Sequence, residues 1–355
     1  MHIPRPSERY TPRFKGSLPS SIDEMLDNES YFTKLKATIR LYRRFLTLLI
    51  SAQLGLEYEY IPRNIRRVLW INVSSTSIGD SIMELSGRVL LREKYQLDLL
   101  TDAKNAAIYA SDDIFNRVYN SAEQIDENYD FVLLDINNSK SIRLKAKYFK
   151  CIPFASIMGY FYGADFNRML FSFKRINALQ GYAVNDEYIN QHAQNYLNLA
   201  NFRTLVSERQ IVLVIGGEDQ LIRTYHRWDS VVTLLSQQFS EYSIVLIGSA
   251  NGVEMSAKIM SLKLPNLRNE VNQLSLVETA SIIANSDYFI GADGGLMHIA
   301  DALNIAGVAL FARFKAKFRL APHTLLRDVY ANDKVSDIEP EIIVEVFTEV
   351  VTSQE

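Results

Sequence analysis

The stretch "FIGADGGLMHIADALNIAGVALF", residues 289–311, decides how this chain is read. Tyr288–Ala292 is a short apolar run with the length and residue types of a buried strand. It breaks on Asp293-Gly294-Gly295. A helix is expected to start near Leu296, with Ala300, Ala302 and Leu303 as its packing side, and a second apolar run, "AGVALFA", follows. Strand, helix, strand in so few residues is the mark of a parallel sheet with a crossover helix. Asp293 would sit at the carboxyl end of its strand, where open α/β sheets bind ligands. The backbone N–H groups at the helix start would favour an anion such as a diphosphate. Taken alone, Asp293 reads as a helix cap and His298 as a satisfied core or surface histidine. All of them together at a strand end point to a site.

The same alternation extends along the chain. "RRVLWINV" (66–73), "LDLLT" (97–101), "FVLLDI" (131–136) and "CIPFASIMGY" (151–160) read as strands, with a helix through "SIMELSGRVLLREKY" after the first. Residues 175–209 are polar, mostly helical, and look like a crossing between domains. The pattern restarts with "QIVLVIG" (210–216) and "YSIVLIG" (242–248) and reaches "DYFIGA" and "AGVALFA" as the last two strands, before the amphipathic helix "EPEIIVEVFTEVV". Two such units imply two Rossmann-like domains facing a central cleft. The expected division is an N-terminal extension (1–65), a first Rossmann-like domain (66–190), a linker (191–209) and a second Rossmann-like domain (210–355).

Composition sets the outer bounds. With 355 residues, 48% hydrophobic and 22% charged, the chain is ordinary globular material. A net charge of -3 argues against global attraction to nucleic acid or membrane. The single cysteine, Cys151, excludes an intrachain disulfide and reads best as a buried core thiol. There is no signal-peptide pattern and no run of the ~20 apolar residues that a spanning helix needs. The expected location is therefore cytoplasmic, with peripheral contact at the inner membrane's cytoplasmic face left open. Residues 1–20 look loose.

That contact is raised by residues 1–67, where twelve Lys/Arg stand against seven Asp/Glu. From about Ser30 to Leu54 a helix is expected. Leu35, Ile39, Tyr42, Leu46 and Leu49 form one apolar stripe, and Lys36, Arg40, Arg43 and Arg44 lie on another face. Two readings stay open: a helix docked on the protein's own core, or a surface that leans on anionic lipid.

The loop after the first strand, "SSTSIGDSI" (74–82), offers a second candidate site. Small hydroxyl residues such as Ser75, together with Gly79, let a ligand come close to the backbone. Asp80 falls near a helix N-terminus, either as a cap or as a functional carboxylate. No Gly-Lys-Ser/Thr follows, so this is not a P-loop.

These residues carry a resemblance. "DGGLMHIADALN" resembles the Asp-Ser/Thr-Gly-x-x-His-x-x-x-Ala-Leu signature of family 9 glycosyltransferases, the ADP-heptose:lipopolysaccharide heptosyltransferases. "SSTSIGDSI" resembles the family's Ser-Ser-x-Gly-Asp motif, and "FVLLDINNSKSIRLKAKYF" its third-strand segment with a Lys-Ser pair, here Lys140-Ser141. The resemblance covers roughly residues 66–350. It implies a glycosyltransferase-B fold and inverting transfer, without a metal or other cofactor. The donor would be a nucleotide-diphosphate sugar, ADP-heptose by family, and the acceptor a lipopolysaccharide or lipooligosaccharide inner core or another lipid-linked oligosaccharide. Asp80 matches the general base and Asp293 the residue contacting donor sugar hydroxyls. Gly294, Gly295 and His298 would line the diphosphate end, and Ser75, Gly79, Lys140 and Ser141 the acceptor loops.

Three departures stand out. Gly294 replaces the family's Ser or Thr. In "IGGEDQLIRTYHRW" (215–228), Gly216 and Gly217 precede Arg223 and Arg227 at shifted spacing, leaving open which arginine meets phosphate. The loop "ARFKAKFRLAPH" (312–323) replaces a Thr-x-Pro type turn with four cations, read either as a solvated loop or as a phosphate or headgroup contact. Two other functions remain: a sugar-nucleotide epimerase of the same fold, and a non-catalytic nucleotide-sugar-binding protein.

Overall fold

The computed structural model describes residues 31–75, 77–136, 138–158, 167–199, 209–216 and 222–354. Residues 1–20, Gly217 and residues 200–208 of the expected linker lie outside them. The chain divides into two compact units, through Ala193 and from Gln194.

The first unit begins with helix α1 (Tyr31–Ile50), followed by β1 (Arg67–Asn72), α2 (Ile78–Leu85), β2 (Gln96–Thr101), α3 (Ala103–Tyr109), β3 (Phe115–Tyr119), β4 (Phe131–Leu134), α4 (Ser139–Tyr148), β5 (Phe154–Ser156), α5 (Arg168–Leu179) and α6 (Asp186–His192). Its five strands pair in the order β3-β2-β1-β4-β5, all parallel. Strands β1 and β4 are buried almost throughout, because helices cover both faces of such a sheet. The core joins Leu69, Ile71, Val132 and Leu134 to Leu48 of α1 and Ile142 of α4.

The second unit runs through β6 (Gln210–Val214), α7 (Trp228–Gln238), β7 (Ser243–Ile247), α8 (Val253–Met260), β8 (Leu267–Asn269), α9 (Leu276–Ala284), β9 (Tyr288–Ala292), α10 (Gly295–Ala302), β10 (Ala306–Ala312), β11 (Leu326–Ala331) and α11 (Pro340–Gln354). Its sheet order is β11-β10-β9-β6-β7-β8, again parallel. In each sheet the strand order reverses beside the first strand: β1 sits next to β4, and β6 next to β9. Ligands in open α/β sheets bind at the carboxyl ends of such strand pairs.

Several expectations need correction. The helix expected through residues 81–95 stops at Leu85 and tightens to a 3₁₀ turn over Ser86–Leu90. Ser172 of α5 is the cause: its Oγ donates to the Glu84 carbonyl at 2.6 Å and accepts the Gly87 N–H at 3.3 Å, drawing the chain out of the helical ladder. Strands β3, β8 and β11 were not anticipated. "AGVALFA" is therefore not the last strand, and "FVLLD" belongs to the fourth strand in chain order rather than the third. The strand placed at 151–160 is only Phe154–Ser156, and Cys151 lies exposed in the turn before it instead of in the core. The stripe Leu35, Ile39, Tyr42, Leu46 and Leu49 faces outward, while Phe45, Thr47 and Leu48 are buried.

Candidate functional site

In the second unit, sheet β6–β9 brings its candidate residues around Asp293. Its backbone N–H continues the ladder to the Leu310 carbonyl at 2.9 Å, so the carboxylate leaves from a fixed point at the end of β9. Asp293 is 7% exposed. Arg223 Nη2 lies 3.2 Å from its Oδ2, Arg319 Nε 3.9 Å from the same oxygen, and His298 Nε2 4.0 Å from Oδ1. A buried carboxylate is stable only with such partners.

The structure separates the two arginines that sequence spacing leaves equivalent. Arg227 donates to Glu339 Oε2 at 2.6 Å and to the carbonyls of Ser336 at 3.2 Å and Ile338 at 2.5 Å. It fastens residues 222–228 to the segment before α11, helped by Tyr225, whose hydroxyl donates to Ile338 at 2.9 Å. Arg223 points the other way, to Asp293. From the basic loop after β10, Arg319 is buried and joins the site, whereas Arg313 pairs with Asp333 at 2.7 Å.

Asp293 is not the cap of α10. Gly294 holds that position and no side chain caps the helix start. A Cβ on Gly294 would come no closer than 3.8 Å to its nearest neighbour, the Ala292 carbonyl, so a serine fits there and the glycine is not a steric requirement. Gly216 is different. It has φ +95°, and a Cβ would meet Asn251 Oδ1 at 2.7 Å, so only glycine suits the turn after β6. Sequence reading did not find the support behind His298. Asn195 Nδ2 lies 3.4 Å from His298 Nδ1 and donates to Asp301 Oδ2 at 2.7 Å, while Asp301 accepts from Thr324. Burial raises the Asp301 carboxyl above its ordinary range.

In the first unit, Ser77 caps α2 by accepting the Asp80 N–H at 3.2 Å, so Asp80 lies in the first turn and is not itself the cap. Its carboxylate is about half exposed and meets Arg168 Nη1 at 2.9 Å. The same nitrogen lies 3.3 Å from Glu84 Oε1, one turn further along α2. Glu84 is buried and accepts from Ser75 Oγ and from Asn72 Nδ2 at 3.2 Å. Burial raises its pKa to about 7, against the opposing pull of Arg168. Neither Glu84 nor Arg168 was singled out in the sequence, because no motif joins residues that only α5 brings together.

Other predicted loop residues tie strand ends together. Buried Asp135 accepts from the Ser74 N–H and from Ser141 Oγ, both at 2.9 Å, and burial raises its pKa. Lys140 Nζ donates to the Val73 carbonyl at 2.5 Å. Gly79 lies buried in the first turn of α2. Lys140 and Ser141 thus clamp the loop that carries Ser75 and leads to Asp80. Among the described residues no group of three His, Cys, Asp or Glu is placed to hold a metal.

Residues 170–325 match the profile of glycosyltransferase family 9 (heptosyltransferase). No curated protein matches in sequence. Among solved structures, a family 9 glycosyl transferase from Veillonella parvula is similar at TM-score 0.68 and 14% identity, covering 83% of this chain and all of that one. E. coli ADP-heptose lps heptosyltransferase II is similar at TM-score 0.63 and 18% identity, over 82% of this chain and 100% of that one. E. coli heptosyltransferase WaaC with ADP follows at 0.62 and 17%, over 80% and 99%. At these identities the likeness shows the fold, which is the α/β glycosyltransferase-B type with two parallel sheets. The stretch that matches the family 9 glycosyltransferase profile, residues 170–325, takes in the Asp293 motif and both Arg223 and Arg319.

Proposed function

We propose that this protein transfers a heptose or a closely related sugar, from ADP-heptose or a similar nucleotide-diphosphate sugar, to a lipopolysaccharide-type inner-core acceptor at the cytoplasmic face of a membrane. The observation that carries the proposal is the grouping of Arg223, Arg319 and His298 around Asp293, beside an uncapped helix start. Asp293 accepts hydrogen bonds from donor sugar hydroxyls. The arginines and the amides of α10 face the diphosphate, whose charge grows as the glycosidic bond breaks; fixed donors there stabilise the transition state. Asp80 takes the proton of the acceptor hydroxyl, which is a poor nucleophile until a carboxylate accepts that proton. Arg168 orients the Asp80 carboxylate. Two guanidinium groups supply positive charge at Asp293, so the reaction as proposed needs no metal.

The test is a donor screen of the purified protein against core lipopolysaccharide acceptors, read by mass gain with and without EDTA. A heptose gain unaffected by EDTA is expected. A hexose gain would change the donor, and loss in EDTA would overturn the metal-independent step. Conversion of the donor without an acceptor would favour an epimerase, and binding without turnover a non-catalytic protein.

A further inference from the structure

Helix α1 docks on the first unit by one side only. Phe45, Thr47 and Leu48 are buried, Leu48 within the core, and Thr47 Oγ1 lies 3.2 Å from Ser139 Oγ at the start of α4. The other side keeps Leu35, Ile39, Tyr42, Leu46, Leu49 and Ile50 exposed, Ile39 at 59% and Ile50 at 82%. At 3.6 residues per turn these six side chains fall within an arc of about 100°, turned away from Thr47 and Leu48. A helix that already has its core contact gains nothing for the fold from a second apolar stripe, and a contiguous exposed stripe marks a contact surface.

The charge on the helix points to the partner. Its 20 residues hold five Lys/Arg and no Asp/Glu, in a chain whose net charge is -3. Lys36, Arg40 and Arg43 are exposed along one border of the stripe, and Arg143 of α4 lines the same groove as Ile39, Leu46 and Ile50. A second copy docked face to face through α1 would set five cations against five. An anionic surface attracts all of them while the stripe enters the headgroup layer. No helix among the described residues is long and apolar enough to cross a membrane, so α1 lies on the surface and does not span.

We propose that α1 is an interfacial helix that seats this protein on an anionic phospholipid bilayer through the stripe from Leu35 to Ile50. The purpose assigned to this contact rests on the reading of the acceptor as a membrane lipid, but the contact is measured without turnover.

The experiment is co-sedimentation of the full-length protein with vesicles of phosphatidylcholine alone or mixed with phosphatidylglycerol in equal parts, with ADP affinity followed in parallel. Binding is expected to the mixed vesicles only, and to weaken as salt rises. The apolar variant I39S/L46S/I50S and the charge variant K36E/R43E are expected to lower the partition coefficient by on the order of tenfold or more. Their melting temperatures should stay at the wild-type value, because every substituted side chain is exposed. A wild-type protein that stays in the supernatant with both vesicle types overturns the proposal. So does undiminished binding by both variants, or a wild-type dimer that the apolar variant dissociates without any lipid binding. A protein that transfers sugar but does not sediment defeats the helix assignment alone; one that sediments but transfers nothing defeats only the transferase reading.

Discussion

At the scale of single residues, the two candidate sites differ in how their carboxylates are kept. Asp293 is held among cations, whereas Glu84 is buried with one guanidinium nitrogen shared between it and Asp80. Burial lifts Glu84 from 4.5 to about 7. A carboxyl whose folded pKa is raised binds more protons in the native state. Its contribution is therefore fully present below about 4.5 and lost as pH rises through about 7. Glu84→Gln should flatten this part of the stability profile, which can reach on the order of 3 kcal/mol across the window and is measurable by urea unfolding at stepped pH. The two arginines give a sharper contrast. Arg223→Ala should weaken ADP binding by about tenfold to a hundredfold in calorimetry, and it also removes the nearest cation from buried Asp293. Arg227→Ala should lower the melting temperature, because the Ser336 and Ile338 carbonyls each lose a donor, and leave ADP affinity intact. Sequence spacing left these residues equivalent. What separates them is the direction each takes from a segment pinned against residues 335–339.

At the scale of elements, hydrophobic patterning was a good guide where strands are buried on both faces and a poor one elsewhere. β1, β4, β6, β7, β9 and β10 announce themselves as runs of Val, Ile, Leu and Phe. β3, β8 and β11 lie at or beside sheet edges, are partly exposed, and read as loop because polar residues interrupt them. The early end of α2 was illegible for another reason: the residue that stops it, Ser172, lies 86 positions from Ser86 along the chain but sits against Gly87 in space. A Cβ on Gly87 would come within 2.9 Å of the Ser172 backbone. Gly87→Ala should therefore force α2 and α5 apart and cost on the order of 1–3 kcal/mol, visible as a lowered melting temperature. Because α5 also carries Arg168, the same variant should slow sugar transfer even though position 87 touches neither substrate.

At the scale of the whole molecule, two parallel-sheet units each place one candidate loop at the strand pair where the sheet order reverses. If the proton acceptor resides in one unit and the donor contacts in the other, single substitutions should separate the two tasks. Asp80→Asn should abolish transfer while ADP affinity holds within about twofold, and Asp293→Asn should weaken binding of the intact nucleotide sugar more than that of ADP, since only the sugar hydroxyls lose their acceptor. An Asp80→Asn protein that still transfers sugar at the wild-type rate would remove Asp80 from the mechanism. The sequence by itself determined the α/β class, the two-unit plan, and the placement of Asp293 at a strand end and of Asp80 near a helix start, because periodicity and turn chemistry are local properties. Only the tertiary structure decided that Arg223 and Arg319 reach Asp293, that Glu84 and Arg168 stand behind Asp80, and that the apolar stripe of α1 faces outward. Those outcomes depend on which distant segments pack together, and burial and direction exist only once they have.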